Sequence, residues 1–194
     1  MTQSFETVPY LNVFLSSPGD VPEERAIARR IMNRLPNRPI FKGKVALNII
    51  AWDDPAGGTA MPASLTPQEA IKRGLPQPSD CNIMIVILYS RIGTPLTDSD
   101  GKRYESGTHW ELMDALGSRK TRTYIYRRTA EPDLGTIGSP DFFHNVSQYQ
   151  RLQEFFKSEI FVKDGQNMRP YSAYKTPAEF EALFEFNFEQ IVSE

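Results

Sequence analysis

The stretch Ser106–Leu116, S-G-T-H-W-E-L-M-D-A-L, lies between two apolar runs, and it decides how the chain is expected to fold. The flanking runs, Asn82–Tyr89 and Thr123–Arg127, have the β-branched and aromatic content of strands. The stretch between them therefore predicts a crossover helix that joins two parallel strands. Ser106 is the expected N-cap, because its hydroxyl can accept from the free N–H groups of the first turn.

Glu111 is the residue of this helix that suggests chemistry. The apolar residues Leu112, Met113 and Leu116 fall on one helical face, and Glu111 points away from that face. Most exposed helical glutamates are ordinary solvated residues, so a functional role depends on what the rest of the chain places nearby. On this interpretation, Glu111→Gln is expected to cost little stability, within about 0.5 kcal/mol.

Composition and charge narrow the class of protein. The 194 residues predict one domain over 1–194, and 40% hydrophobic with 24% charged residues is ordinary for a globular chain. A formal net charge of -2 without a Lys/Arg block argues against direct nucleic-acid binding. The single cysteine, Cys81, excludes an internal disulfide framework. No signal peptide and no membrane-spanning apolar run is recognisable, so the predicted location is the cytoplasm, without a membrane partner.

Strand and helix patterns alternate along the whole chain. The predicted strands are Leu11–Ser16, Val45–Trp52, Ile83–Tyr89, Thr123–Arg127 and Arg169–Lys175. Asp20, as N-cap with a Glu23 capping box, predicts the first helix. Further helices are predicted at Thr66–Gly74, from Ser106, at Ser147–Phe161 and from Thr176. A hairpin is predicted at Leu96–Tyr104 and a loop at Ala130–Val146. The pattern predicts an α/β fold: a flavodoxin-like, five-stranded, mainly parallel sheet of order 2-1-3-4-5 with helices on both faces.

In that order the first and third strands flank the switch point of the sheet, where ligands bind outside the carboxyl ends of the strands. The residues expected at this edge are Ser16, Ser17, Gly19, Arg91, Ser106, Trp110 and Glu111. Ser16, Ser17 and Gly19 either offer hydroxyl and backbone N–H groups to a phosphate or form a plain strand-to-helix turn. Arg91 either pairs with a diphosphate or is an ordinary surface arginine. Trp110, like Trp52, either stacks on a base or packs in the core.

Three segments in this order resemble bacterial TIR-like (Toll/interleukin-1 receptor-like) domains, the group found at the N-terminus of NLR-like and repeat-containing proteins. They are V-F-L-S-S-P-G-D-V from Val13, I-V-I-L-Y-S-R-I-G from Ile85 and S-G-T-H-W-E-L from Ser106. The resemblance covers most of residues 9–190 and implies that Glu111 is the catalytic glutamate. One departure is His109-Trp110, where many TIR domains carry Trp-Cys. The S-G-T…E-L…A pattern also resembles nucleoside 2-deoxyribosyltransferases.

The resemblance implies an NAD+ glycohydrolase, an effector of bacterial immunity or anti-phage defence, with NAD as substrate and no cofactor. One carboxylate suffices in principle, because the pyridinium leaves as a neutral base and the transition state is oxocarbenium-like. Two scattered histidines and one cysteine predict neither a metal site nor a catalytic triad. The resemblance also implies homo-oligomers formed through TIR–TIR contacts, to which the loop Asp53–Leu65 contributes. It further implies a fused or partner sensor domain.

Two other functions remain open at this point. The first is a non-enzymatic TIR-like adaptor that signals through homotypic contacts and does not need Glu111. The second is a nucleoside N-glycosidase or 2-deoxyribosyltransferase, which would use Glu111 on a different substrate.

Overall fold

The computed structural model describes residues 7–51, 76–98 and 100–194. The strands of the main sheet are β1 (Tyr10–Ser16), β2 (Ala46–Ile50), β3 (Ile83–Leu88), β6 (Arg122–Arg128) and β9 (Ser172–Tyr174). Two short hairpins pair β4 (Leu96–Thr97) with β5 (Arg103–Tyr104) and β7 (Val162–Lys163) with β8 (Gln166–Asn167). The described helices are α1 (Pro22–Arg34), α2 (Gly107–Gly117), α3 (Phe142–Lys157) and α4 (Pro177–Ser193).

The main sheet has the order β2-β1-β3-β6-β9, and each of its pairings is parallel. Counted along the chain without the two hairpins, its five strands follow the predicted order 2-1-3-4-5. The flavodoxin-like α/β fold is therefore confirmed. The hairpin expected at Leu96–Tyr104 is also present, as β4 and β5.

Two hydrophobic cores cover the two faces of the sheet, and β3 contributes to both. All six of its residues are fully buried. Ile83, Ile85 and Ile87 belong to the core that includes buried residues of α1 and α4. The alternate residues of β3 belong to the second core, with apolar side chains of α2 and α3. This burial on both faces explains why β3 has an unbroken apolar sequence, and it confirms the predicted central strand.

The prediction that Asp20 caps α1 is wrong. The N-cap residue is Val21, and no side chain caps the helix there, so the Glu23 capping box is not formed either. The carboxylate of Asp20 is used across the sheet edge: its Oδ2 accepts from Ser90 N and Oγ, both at 2.8 Å, and from Arg91 N at 3.0 Å. A contact between segments that lie 70 residues apart has replaced the local cap.

The predicted caps of α2 and α4 are confirmed. Ser106 Oγ accepts from His109 N at 3.0 Å. At the start of α4, Thr176 Oγ1 accepts from Glu179 N at 3.2 Å, and Glu179 Oε2 accepts in turn from Lys175 N at 2.8 Å. Both helices therefore begin at the hydroxyl residue that the sequence indicates.

Helix α3 differs most from its prediction. It begins at Phe142, inside the predicted loop Ala130–Val146, and it ends at Lys157 instead of Phe161. The N-cap residue, Asp141, is of a type that commonly caps helices, but its side chain makes no capping hydrogen bond. The helix ends where Ser158 Oγ donates back to Phe155 O at 2.6 Å. The chain then continues into the β7–β8 hairpin, which the sequence did not predict.

Three predictions lie outside the described residues: the helix Thr66–Gly74, the loop Asp53–Leu65 and the role of Trp52. Among the helices of the described segments, none combines the length and the apolar character needed to cross a bilayer.

Candidate active site at the carboxyl edge of the sheet

The carboxyl ends of β1 and β3 lie side by side, as expected at the switch point. Ser16, the last residue of β1, is in register with Val86 of β3. The loops that follow the two strands are tied together by the three hydrogen bonds that Asp20 Oδ2 accepts from Ser90 and Arg91. Contacts between distant segments thus hold this edge together.

Glu111 meets Ser16 at this edge. The Ser16 hydroxyl donates a hydrogen bond to Glu111 Oε2, and it joins residues 95 positions apart. Ser16 is fully buried, and Glu111 is only 4% exposed. The structure therefore brings together two residues that the sequence had placed at one edge by topology alone.

The prediction that Glu111 lies off the packed face of its helix is wrong. The buried residues of α2 include Thr108, Glu111, Leu112 and Ala115, which share one face at i, i+3, i+4 and i+7. Met113 and Leu116, assigned to the apolar face from the sequence, are only partly buried. Glu111 thus points toward the end of the sheet, and the small stability cost expected for an exposed residue no longer applies.

Burial determines the proton affinity of Glu111. Removal from water raises its pKa from 4.5 to about 7, against the opposing effects of the Ser16 hydrogen bond and the positive charge of Arg25. Near neutral pH the side chain is therefore present both as the carboxylate and as the carboxylic acid. Such a group can stabilise a developing cation in one form and donate a proton in the other.

A second pair of polar groups adjoins the first. Ser17 Oγ accepts from Arg25 Nη1 at 2.5 Å, and the two side chains are 3% and 5% exposed. Sequence reasoning did not single out Arg25. A signal was present, because Arg25 precedes the buried residues Ala28 and Met32 by three and seven positions and so shares their helical face.

Glu24, a buried acidic residue of α1, is paired with residues of β6 and β9. Its Oε1 accepts from Arg128 Nη1 at 3.2 Å and from the Tyr174 hydroxyl at 3.3 Å. The Arg128 guanidinium also lies 4.2 Å from the centre of the Tyr89 ring. These contacts attach the start of α1 to the ends of the neighbouring strands, and they account for the buried charge of Glu24.

The remaining predicted site residues occupy different environments. Gly19 is exposed, and a Cβ atom built on it would meet nothing within 4 Å. Arg91 is partly buried, and its Nε is a buried donor without a hydrogen-bond partner. Ser106 is 1% exposed with its hydroxyl engaged in the helix cap, and Trp110 is 7% exposed. These positions place Gly19 and Arg91 on the loops of the edge, and Ser106 and Trp110 in the packed start of α2.

The turn after β3 packs closely against the start of α2. Gly93 has a φ of +105°, and a Cβ atom there would lie 3.1 Å from Ser106 Cβ. Gln148 of α3 holds this turn by accepting from Gly93 N at 3.0 Å and donating to Gly93 O at 3.2 Å. The geometry requires glycine at this position, because an L side chain would be both strained and crowded.

No group of three or more His, Cys, Asp or Glu side chains within the described segments could hold a metal ion. The thiol of Cys81 is buried just before β3, and burial, together with the charges of Asp80 and Asp114, raises its pKa to about 12. It is thus a poor nucleophile.

A cavity of about 570 Å³ lies at the opposite edge of the sheet, beside the residues that precede β3 and β6. It is lined by Ser79, Asp80, Met113, Asp114, Gly117, Ser118, Arg119 and Lys120. Polar groups of its lining bond to each other: Asp114 Oδ2 accepts from Ser79 N at 2.8 Å, and Ser118 Oγ donates to Ser79 O at 3.0 Å. The carboxyl edge is the stronger candidate, because it holds the buried glutamate with the altered pKa.

Comparison with known proteins identifies no family. The chain matches no protein-family model, and no curated protein is significantly similar to it. The support for a function therefore comes from the site itself and from the resemblance of its short motifs.

Proposed function

We propose that the chain is a TIR-like domain that cleaves NAD+ at the bond between nicotinamide and ribose, with Glu111 as the catalytic residue. The observation that carries the proposal is the buried Glu111 carboxyl group, which accepts a hydrogen bond from Ser16 at the switch point of a flavodoxin-like sheet. This is the position at which such sheets bind nucleotides.

The chemistry of NAD+ cleavage suits one buried carboxylate. When the C1′–N bond breaks, its electron pair neutralises the pyridinium, and nicotinamide leaves without being protonated. Positive charge then develops on the ribose C1′ and ring oxygen. Glu111 in its ionised form stabilises this charge, and water adds at C1′ with release of a proton. Because the site is shielded from water, the electrostatic contribution is larger than it would be in solution.

The other residues of the edge have supporting roles in the proposal. The hydroxyl of Ser16 holds the Glu111 carboxylate, so it takes a positioning role instead of the phosphate contact expected from the sequence. The exposed loop at Gly19 and the guanidinium of Arg91 lie after β1 and β3, where a diphosphate would pass. We further propose that the active form is a homo-oligomer and that the activity serves bacterial immune signalling together with a sensor domain.

One observation favours a second candidate, a nucleoside N-glycosidase or 2-deoxyribosyltransferase. A pKa of about 7 leaves part of Glu111 protonated at neutral pH. A neutral nucleoside releases its base more readily when the base is protonated, and a carboxylic acid can supply that proton. The two functions therefore predict opposite pH dependences: NAD+ cleavage rises as Glu111 ionises, whereas acid-assisted nucleoside cleavage falls.

The test is to incubate the purified chain, dilute and concentrated, with NAD+ and separately with nucleosides between pH 5.5 and 8.5, and to measure the released base. Glu111→Gln is expected to lower nicotinamide release by about a hundred- to a thousand-fold. The matched control Glu154→Gln removes an exposed carboxylate of α3 and should leave the rate unchanged. Release of base from nucleosides alone would favour the second candidate. No release at any concentration would favour the adaptor function.

A further inference from the structure

Thr108 lies on the buried face of α2, three residues before Glu111. Its side chain is only 9% exposed. Within the described residues its hydroxyl group makes no hydrogen bond, yet its oxygen is not one of the fully enclosed polar atoms. The hydroxyl group is therefore in contact with solvent through a small opening, although the rest of the side chain is packed.

The direction of α2 places this opening beyond the ends of the strands. The helix is the crossover between the parallel strands β3 and β6, so it runs against their direction. Glu111 contacts Ser16, the last residue of β1. Three residues toward the helix N-terminus, Thr108 lies about 4.5 Å farther along the helix axis. It thus reaches the crevice outside the carboxyl ends of the strands, where such sheets bind ligands.

The hydroxyl group of Thr108 differs from the serine hydroxyl groups around it. Those of Ser16, Ser17, Ser90 and Ser106 all have hydrogen-bond partners within the protein. A hydroxyl group that is largely withdrawn from water and unpaired in the described part of the chain is available to a ligand. It can both donate and accept, and this matches the hydroxyl groups of a sugar.

We propose that Thr108 binds the ribose 2′-hydroxyl group of the substrate, so that the site prefers ribose to 2-deoxyribose. This inference rests on the proposed function. Residues three positions apart on a helix have Cβ atoms about 5–6 Å apart. Glu111 acts at C1′, and the next carbon carries the 2′-hydroxyl group, so one sugar can contact both side chains. A preference for ribose opposes the 2-deoxyribosyltransferase alternative.

The test compares the release of nicotinamide from NAD+ and from its analogue with 2-deoxyribose next to nicotinamide. Thr108→Val has nearly the same shape as the wild type but lacks the hydroxyl group. Its preference for NAD+, measured as the ratio of the two kcat/KM values, is expected to fall about three- to tenfold, which is the range of one neutral hydrogen bond. Thr108→Ser keeps the hydroxyl group and should keep most of the preference.

The ratio separates contact with the substrate from a structural role, because a displaced helix would slow the cleavage of both substrates alike. Thr97→Val, which changes an exposed residue of β4, is the matched control and should leave the ratio unchanged. If Thr108→Val does not fold, Thr108→Ala provides the same comparison. An unchanged ratio in a folded variant, with NAD+ cleaved by the wild type, would overturn this inference and leave the proposed function intact.

A binding measurement decides the role of Thr108 if the wild type does not cleave NAD+ and the proposed function fails. The affinity for ADP-ribose, measured by calorimetry, then replaces the rate. Thr108→Val should bind ADP-ribose about three- to tenfold more weakly than the wild type, and Thr108→Ser should bind it nearly as well. Equal affinities of Thr108→Val and the wild type, or no binding by the wild type, would overturn the assignment of Thr108.

Discussion

Replacing Glu111 by glutamine is expected to stabilise the protein above pH 7 relative to the wild type. Glutamine has nearly the same size, and its amide oxygen can still accept from the Ser16 hydroxyl. The amide cannot ionise, whereas the wild-type carboxyl group must become charged inside the protein as the pH rises. The difference in stability between the two proteins therefore isolates the free energy of ionising this buried group.

The magnitude follows from the raised pKa of Glu111. Because the folded state binds this proton more tightly than the unfolded state, the side chain contributes stability that is fully present below pH 4.5 and is lost as the pH rises through 7. The rise from 4.5 to about 7 corresponds to about 3 kcal/mol, at about 1.4 kcal/mol per pH unit. For a chain of this size, that is a difference in Tm of roughly 6–12 °C.

Thermal unfolding of the wild type and Glu111→Gln should be followed by circular dichroism from pH 4 to pH 8.5. The variant should gain stability relative to the wild type across this range, with most of the change between pH 4.5 and pH 7. Glu154→Gln, the exposed control on α3, should follow the wild type throughout. A constant difference between Glu111→Gln and the wild type at all pH values would refute the reasoning, because Glu111 would then titrate alike in the folded and unfolded states.

Three more outcomes follow from the same geometry. An uncleavable, cationic carbocyclic NAD analogue should bind up to about tenfold more tightly at pH 8 than at pH 6, because Glu111 ionises between these pH values. The affinity for NADH should not change in this way, and equal pH dependence of the two affinities in calorimetric titrations would contradict the prediction. Asp20→Ala leaves the backbone N–H groups of Ser90 and Arg91 without their acceptor, so its free energy of unfolding in urea should fall by about 1–3 kcal/mol. Asp20→Asn should lose less, and equal losses in the two variants would count against the contact between Asp20 and this loop. Gly93→Ala should cost about 1–3 kcal/mol, because its φ is +105°, while Gly19→Ala should cost far less; similar unfolding midpoints would exclude strain at Gly93.

Much of the fold could be predicted from local patterns. The unbroken apolar run of β3 indicated a strand buried on both faces, and the alternation of strands with helices indicated a parallel sheet of order 2-1-3-4-5. The hydroxyl caps at Ser106 and Thr176 located the starts of two helices. The strand and cap predictions succeeded because they depend on residues close together in sequence, and the sheet order followed from the rules that restrict how alternating strands and helices connect.

The start of α3 and the role of Asp20 could not be predicted in this way. Asp141 at the start of α3 makes no side-chain cap, and the Pro, Gly and Asp content of Ala130–Val146 indicates a loop instead of a helix start. Asp20 has the sequence of an N-cap, but its carboxylate bonds to the loop after β3, 70 residues away. A tertiary contact has overridden the local preference in this case, and only the assembled sheet edge provides that contact.

For the candidate site, too, the sequence predicts some features and only the tertiary structure decides others. By itself, the sequence determined that Ser16, Arg91 and Glu111 belong to one edge of a parallel sheet, because topology places the carboxyl ends of adjacent strands together. Only the tertiary structure decided that Glu111 is buried, that Ser16 donates to it and that Arg25 donates to the neighbouring Ser17. The physical reason is that proton affinity depends on burial and on charges brought close by folding, and helical periodicity alone does not specify which face of α2 packs against the sheet.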